Sequence, residues 1–265
     1  MRQEMIFSPD DPGFVLYNSR AESGLMHRNE PEPGLFIAES RKCITRALAA
    51  GYQPVSALCE TGEDLTLFVP YDIPVYLGER ALLEQLAGYS LTGGMLCALR
   101  RQALPTPEEL LTGCHRIVVA DDVENPVNIG SIIRNAAALY ADAMLVTADS
   151  SDPLYRRASR VSMGTVFGFP WTKLPAGEDY IELLHGLGFK VCAMALTDES
   201  VPPDEPALLA EEKLAIVLGN EGNGLKRETI ARCDYTVCIP MSREVDSLNV
   251  AAASAVAFWQ LCRRA

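Results

Sequence analysis

The sequence lacks several features that would assign its class at once. No apolar run approaches the roughly 18–20 residues a helix needs to cross a bilayer, so no membrane-spanning helix is expected. The opening stretch, MRQEMIFSPDDPG, has neither a basic head nor an apolar segment and is not expected to act as a secretory leader. No Cys-x-x-Cys pair occurs among the eight cysteines (Cys43, Cys59, Cys97, Cys114, Cys192, Cys233, Cys238 and Cys262). With three scattered histidines, His27, His115 and His185, no metal site is expected. Cys192 and Cys238 sit inside apolar runs, so the thiols read as reduced, mostly buried groups of a cytoplasmic protein. Positive charge is scarce. The net charge of −12 argues against a protein held to nucleic acid by bulk attraction, which Lys and Arg supply by neutralising phosphates. Residues 1–105 carry 9 basic and 13 acidic side chains and the remainder 14 and 22, so neither part is basic. Three local clusters remain: Arg41, Lys42 and Arg46; Arg100 and Arg101; and Arg156, Arg157 and Arg160. Each is either a solvated helix face or a local anion-binding patch.

What is present is a soluble composition, 48% hydrophobic and 22% charged over 265 residues, enough for one large domain or two ordinary ones without cross-links. Residues 1–33 are polar and broken by prolines and glycines, and read as an arm or short helix with a linker. A first α/β unit follows over 34–101. GLFIAES is strand-like and leads into RKCITRALAAG, whose apolar positions Cys43, Ile44, Ala47 and Leu48 recur at helical spacing. Gly51 is a candidate C-cap. PVSALCE and LTLFVPYD are strand-like, GERALLEQLAGY is a helix capped by Gly88, and GGMLCALRR is a closing strand. Residues 102–113 read as a linker stiffened by Pro105 and Pro107. From 114 to 265, strands (HRIVVADD, AMLVTAD, FKVCAMALT, LAIVLGNE, YTVCIP) alternate with helices near 129–140, 178–187, 226–233 and 246–262, and DPLYRRASRVSMGTVFGFP holds a helix and a glycine-bearing loop. Continuous Val, Ile, Leu and Ala strands alternating with helices predict a parallel sheet covered on both faces. No internal repeat or low-complexity tract is visible.

Three strings fall where strands end, the place at which open α/β sheets bind ligands. In NIGSIIRNA (128–136), Asn128 can N-cap the following helix and Arg134 projects from its second turn. Either this is a capped helix with a surface arginine, or the guanidinium is placed for a phosphate or carboxylate. GNEGNGL (219–225) has three glycines in six positions but matches neither the P-loop nor the dinucleotide fingerprint. Glu221 would repel a phosphate. It fits a cofactor without phosphate, or a role in orienting Arg134 or a neighbouring loop; a plain Asn-Gly turn is the alternative. In IPMSREVDSLNV (239–250), Pro240 ends the strand and Asp246 or Ser247 can cap the last helix, leaving Ser247 and Asn249 with free polar groups at its start. Together the runs suggest two ligand loops with an arginine aimed between them.

On these three strings and the intervening RVSMGTVF (160–167), residues 114–265 closely resemble the SpoU (TrmH-type) RNA 2′-O-ribose methyltransferases of the SPOUT class. Residues 34–101 more loosely resemble the small ribosomal-protein-like RNA-binding α/β domain that many of them carry, around GLFIAES and LAGYSLTGG. The resemblance implies an α/β parallel-sheet domain with a deep trefoil knot, a homodimer, S-adenosylmethionine as cofactor and a ribose 2′-hydroxyl of tRNA or rRNA as acceptor. Carried over by motif, the catalytic set is Arg134, Asn128, Glu221, Ser247 and Asn249. The cofactor set is Leu196, Thr197, Gly219, Asn220, Gly222, Ile239, Met241 and Leu248. Two departures are Tyr140, where a small glycine is common and which reads as a packing residue, and Arg243, in a loop where glycine is frequent. The competing readings are a non-catalytic RNA-binding dimer that retains the fold and a methyltransferase acting on something other than RNA.

Overall fold

The computed structural model describes residues 1–8, 16–17, 34–87, 91, 93–242 and 247–263. Most of the expected arm, the Gly88 cap, Arg243 and the candidate cap Asp246 lie outside the described residues. The chain forms two compact units, Met1–Ala103 with Leu154–Gly168, and Leu104–Pro153 with Phe169–Ala265.

The first unit opens with β1 (Arg2–Met5), then β2 (Leu35–Glu39), α1 (Arg41–Ala49), β3 (Pro54–Glu60), β4 (Pro74–Gly78), α2 (Arg80–Ala87) and β5 (Met95–Arg100). Its sheet runs β1-β4-β3-β5-β2, with β5 antiparallel to both neighbours and the other pairs parallel. The amphipathic spacing of α1 holds: Cys43, Ile44 and Ala47 are buried, and Gly51 follows the helix at φ 87, a left-handed conformation natural to glycine. Two expectations fail. The polar start is neither arm nor helix at residues 2–5, where a strand pairs in parallel with β4. LTLFVPYD is not a strand: Asp64 accepts hydrogen bonds from the Thr66 N–H and hydroxyl, both at 2.9 Å, and the chain turns through a 3₁₀ segment, Thr66–Phe68, that buries Phe68. A short side chain that satisfies the backbone locally competes with ladder formation. The strand falls instead on the next apolar run, Pro74–Gly78.

The second unit begins with a short helix inside the expected linker, α3 (Pro107–Leu110), started by a capping box between Thr106 and Glu109, with Pro107 in the first turn. Then come β6 (Arg116–Ala120), α4 (Pro126–Ala138) and β7 (Ala143–Val146). The next helix, α5 (Arg156–Val161), belongs with its flanks to the first unit. There Phe167 stacks with Phe36 and Tyr52 at ring-centroid distances of 5.5 and 5.6 Å, and Arg160 pairs at 3.2 Å with the fully buried Glu39. The second unit resumes with β8 (Trp171–Lys173), α6 (Tyr180–Gly186), β9 (Lys190–Met194), α7 (Pro206–Leu209), β10 (Leu214–Leu218), α8 (Arg227–Arg232), β11 (Tyr235–Val237) and α9 (Val250–Leu261). Its six strands are all parallel, in the order β11-β9-β10-β6-β7-β8. β6, β7 and β10 are buried at every position, as a sheet covered on both faces requires. At the start of β6 the buried Arg116 donates to the carbonyls of Leu261, Glu212 and Glu211 at 2.9, 2.8 and 2.7 Å. It thereby ties the end of α9 to the approach to β10. No helix among the described residues is long and apolar enough to cross a membrane.

Two helix starts differ from expectation. Asn125, not Asn128, caps α4: its side chain accepts from Val127 N at 2.9 Å, and Pro126 takes the first helical position. Asn249, not Ser247, caps α9, accepting from Ala251 N at 2.9 Å. Tyr140 also differs: it is 68% exposed with φ 67, so it does not pack within the chain. It holds a left-handed conformation that glycine adopts without strain.

Candidate active site

The ends of β9, β10 and β11 feed three loops that surround a cavity of ≈ 940 Å³. All eight residues expected to hold a cofactor line it: Leu196 and Thr197 after β9, Gly219, Asn220 and Gly222 after β10, and Ile239, Met241 and Leu248 after β11. Glu221, Ser247 and Asn249 line it too.

The glycine loop is built by backbone proximity. A Cβ on Gly219 would stand 2.7 Å from Leu225 N and 2.8 Å from the Gly224 carbonyl carbon, so no side chain fits there. Gly224 turns the chain at φ 67. The Asn220 side chain organises the turn, its oxygen accepting from Gly222 N at 2.9 Å and Asn223 N at 3.0 Å while its nitrogen donates to the Asp122 carbonyl at 3.0 Å. The Asn-Gly turn and the cavity wall are thus the same object.

The three strings meet at a polar junction. Asn128 is 5% exposed, and its Nδ2 donates to Glu221 Oε1 at 2.8 Å. Asn125 N donates to the same oxygen at 3.2 Å, and Asn249 Nδ2 makes a longer contact, 3.4 Å, with Asn128 Oδ1. Glu221 therefore faces the N-terminus of α4, a helix with no acidic residue in its own first turn. An anion there is favoured by the unpaired N–H groups and the helix dipole, by about 0.3–1 kcal/mol. Of the suggested roles for Glu221, the geometry shows orientation of the neighbouring segment, not of Arg134.

Arg134 is not aimed between the two loops of its own chain. It is exposed, is not among the cavity-lining residues, and makes no hydrogen bond or ion pair with the described residues. Its neighbour Asn135, seven residues and so nearly two turns from Asn128 on the same helix face, donates to Ala251 O at 2.8 Å and to Ser254 Oγ at 2.9 Å, fastening α4 to α9. Sequence reasoning missed Asn125 and Asn135. The Asn-Pro pair at 125–126 signalled the cap, and the 128/135 spacing signalled a shared face.

A second, smaller cavity of ≈ 360 Å³ opens at the ends of β6, β7 and β8, lined by charged side chains including Asp121, Asp149, Lys226 and Arg232. Burial pushes the Asp121 carboxyl up, against the hydrogen bond it accepts from Tyr180 Oη at 2.8 Å. Among the described residues no group of His, Cys, Asp and Glu is arranged to hold a metal ion.

Comparison with known proteins places this geometry. The model of the SpoU rRNA Methylase family matches residues 115–259. An uncharacterized tRNA/rRNA methyltransferase of Mycobacterium bovis is 33% identical, the match covering 97% of this chain and 91% of that protein. The 23S rRNA (guanosine-2′-O-)-methyltransferase RlmB of Acinetobacter baylyi is 30% identical over 76% of this chain and 82% of its own length. In fold, the chain is similar to an AdoMet-bound rRNA methyltransferase from Sinorhizobium meliloti, with a TM-score of 0.79 at 23% identity, covering 98% of this chain and 97% of that one. It is likewise similar to the SpoU methyltransferase AviRb from Streptomyces viridochromogenes, with a TM-score of 0.76 at 22% identity over 95% and 96% of the two chains. The α/β fold with its parallel sheet, the motif strings at the strand ends and these likenesses agree: the chain belongs to the SpoU rRNA methylase family of RNA methyltransferases.

Proposed function

We propose that this protein transfers a methyl group from S-adenosylmethionine to a ribose 2′-hydroxyl of tRNA or rRNA. The observation that carries the reading is the cavity at the ends of β9, β10 and β11, where the three motif strings converge. The residues suit this cofactor. The walls are largely backbone and small or apolar side chains, with two carboxylates, Asp198 and Glu221, and one guanidinium, Arg227, among the lining residues; the excess of carboxylate suits a sulfonium better than a phosphate. The backbone at Leu196, Thr197, Gly219, Asn220, Gly222, Ile239, Met241 and Leu248 would hold it. Bound there, it supplies an electrophilic methyl group.

The chain's own task is to present the acceptor. A ribose hydroxyl is a very weak acid and must lose its proton as the new bond forms. Arg134 is the residue assigned to that end of the reaction, either clamping the flanking phosphate or, once desolvated, assisting proton loss. Ser247 and Asn249 shape the pocket beside the cofactor, and the Glu221–Asn128 junction keeps the α4 start in register with both loops. Because Arg134 stands outside its own chain's cavity, the reading includes a homodimer. Its support is apolar surface on and beside the two fastened helices: Trp259 and Val256 of α9 are 55% and 42% exposed, and Tyr140 follows α4. A deep trefoil knot belongs to the same reading, since after β11, at one sheet edge, the chain returns to lay α9 against α4. The first unit is read as the RNA-binding module.

The test is S-adenosylmethionine binding by calorimetry, followed by labelled methyl transfer to total RNA and mapping of 2′-O-methyl positions. Arg134→Ala should abolish transfer with cofactor affinity close to wild type. Cofactor binding without transfer to any RNA would instead favour a non-catalytic dimer or another acceptor.

A further inference from the structure

Lys42 and Arg46 of α1 differ from Arg41, Arg80 and Arg160 of the same unit. Arg41 pairs with Asp64 at 3.2 Å, Arg80 with Glu60 and Glu84 at 3.1 and 3.2 Å, and Arg160 with Glu39 at 3.2 Å. Lys42 and Arg46, four residues apart and so on one helix face, are exposed and have no carboxylate partner among the described residues.

Arg46 is nevertheless held in place. Its Nη1 donates to the Met163 carbonyl at 2.8 Å and lies 3.4 Å from Thr165 Oγ1, both neutral acceptors. The turn that presents them is conformationally costly: Met163 has φ 57 and Gly164 φ 77. Left-handed backbone at a non-glycine residue is uncommon, and it concentrates where surrounding structure enforces it. Met163 N donates to Arg160 O and Gly164 N to Ser159 O, closing the end of α5. A Cβ on Gly164 would meet Arg46 Cδ and Cys43 Cα, each at 3.2 Å, so the turn and α1 are fitted to each other. The outcome is an oriented guanidinium whose charge is not cancelled and whose Nε and Nη2 make no hydrogen bond with the described residues.

We infer that Lys42, Arg46 and the 163–165 turn form a contact site for the phosphate backbone of the RNA. The inference rests on the RNA methyl-transfer reading and deepens it by locating a substrate contact away from the cofactor cavity. Charge decides the occupant. In a chain of net charge −12, a polyanion is repelled at long range, so its contacts must be local and oriented in advance. A guanidinium with a free fork suits a phosphate oxygen pair.

The test uses the full chain and fluorescently labelled total tRNA and rRNA fragments, with binding followed by anisotropy from low to moderate salt. Each phosphate contact removed should lower the slope of log affinity against log salt by roughly 0.7–0.9. Lys42→Gln and Arg46→Gln should each weaken binding by about 3–10-fold, and the double variant should lower the slope by roughly 1.5. Arg46→Lys should recover part of the loss. Cofactor affinity should stay at the wild-type value throughout. Because Arg46→Gln also frees the 163–165 turn, melting temperatures are compared, and Lys42→Gln, which holds no turn, gives an independent reading. Wild-type affinity and slope in both single variants would overturn the inference. So would displacement of RNA by polyglutamate as readily as by unlabelled RNA, which would mark a surface for acidic peptides. If the wild-type chain binds the cofactor but no RNA, the RNA reading itself fails, which is a distinguishable result.

Discussion

The two edges of the six-stranded parallel sheet are treated in opposite ways. At the edge where strands begin, polar groups are closed on one another. Arg116 saturates the carbonyls of Leu261, Glu211 and Glu212, and the Asp142 carboxylate takes the N–H groups of His115 and Arg116 at 2.7 and 2.8 Å. Asp234 takes Lys190 Nζ, Val191 N and His185 Nε2 at 2.8–2.9 Å. At the edge where strands end, glycines and short polar residues leave two cavities open. Polar groups closed on one another mark the end where strands begin and cavities the end where they finish, the arrangement expected when ligands bind outside the carboxyl ends of strands.

The sharpest way to break this contrast is Arg116→Met. Four carbonyls, that of His115 included, lose charged donors, each such bond worth about 1.5–3 kcal/mol, so denaturant unfolding should show a loss of at least about 3 kcal/mol. Cofactor affinity of the folded fraction should be unchanged; a variant as stable as wild type would show the closed edge to be dispensable. Next in size is Gly219→Ala at the open edge. Its Cβ meets backbone on two sides, so S-adenosylmethionine affinity should fall about 100-fold, or about 2.7 kcal/mol, while stability falls by about 1–3 kcal/mol. A smaller effect is expected at the junction between motif strings. Asn128→Ala should cost about 1–2 kcal/mol of stability, and a double-mutant cycle with Glu221→Ala should show coupling of at least about 0.5 kcal/mol. Strict additivity would mean that the 2.8 Å contact carries nothing.

The smallest effects are in pH dependence and have opposite signs at the two edges. Burial raises the Asp121 carboxyl, so the folded state holds that proton longer than the unfolded chain, and stability from this group is lost as pH rises through the raised value. Asp234 is also pushed up by burial, but its hydrogen bonds from Lys190, Val191 and His185 outweigh this and hold it below the usual value. Its contribution is present above the ordinary carboxylate range and lost as pH falls through the lowered value. Asp121→Asn should therefore flatten the stability profile above the ordinary carboxylate value, and Asp234→Asn below it. Thermal melts across pH would check both.

The legibility of each element in the chain depends on the range of the forces that form it. Buried parallel strands announce themselves as continuous apolar runs, so the six-stranded sheet was legible, and the eight positions expected for a cofactor from motif resemblance do line the cavity. The edge strand β1 was not, because RQEM is exposed along its length and is a strand only through backbone pairing with β4, about 70 residues later. The cap of α4 was misplaced by three residues because Asn125 and Asn128 are equally good capping types; Pro126, which favours the first helical position, was the local signal that separated them. Arg134 was expected to be aimed between the two ligand loops, but nothing in a helical string fixes which way its seventh residue faces once the helix is docked.

The segment Leu154–Gly168 lies between β7 and β8 in the chain yet completes the first unit. During synthesis, amino-terminal domains ordinarily close while the ribosome is still making the remainder of the chain, at about 5–20 residues per second. Here Phe36, Tyr52 and Glu39 wait for Phe167 and Arg160. The first unit can reach its final form only after β6, α4 and β7 have emerged, so the two units are bound to a shared schedule of birth and neither can be inherited or truncated as a clean cassette.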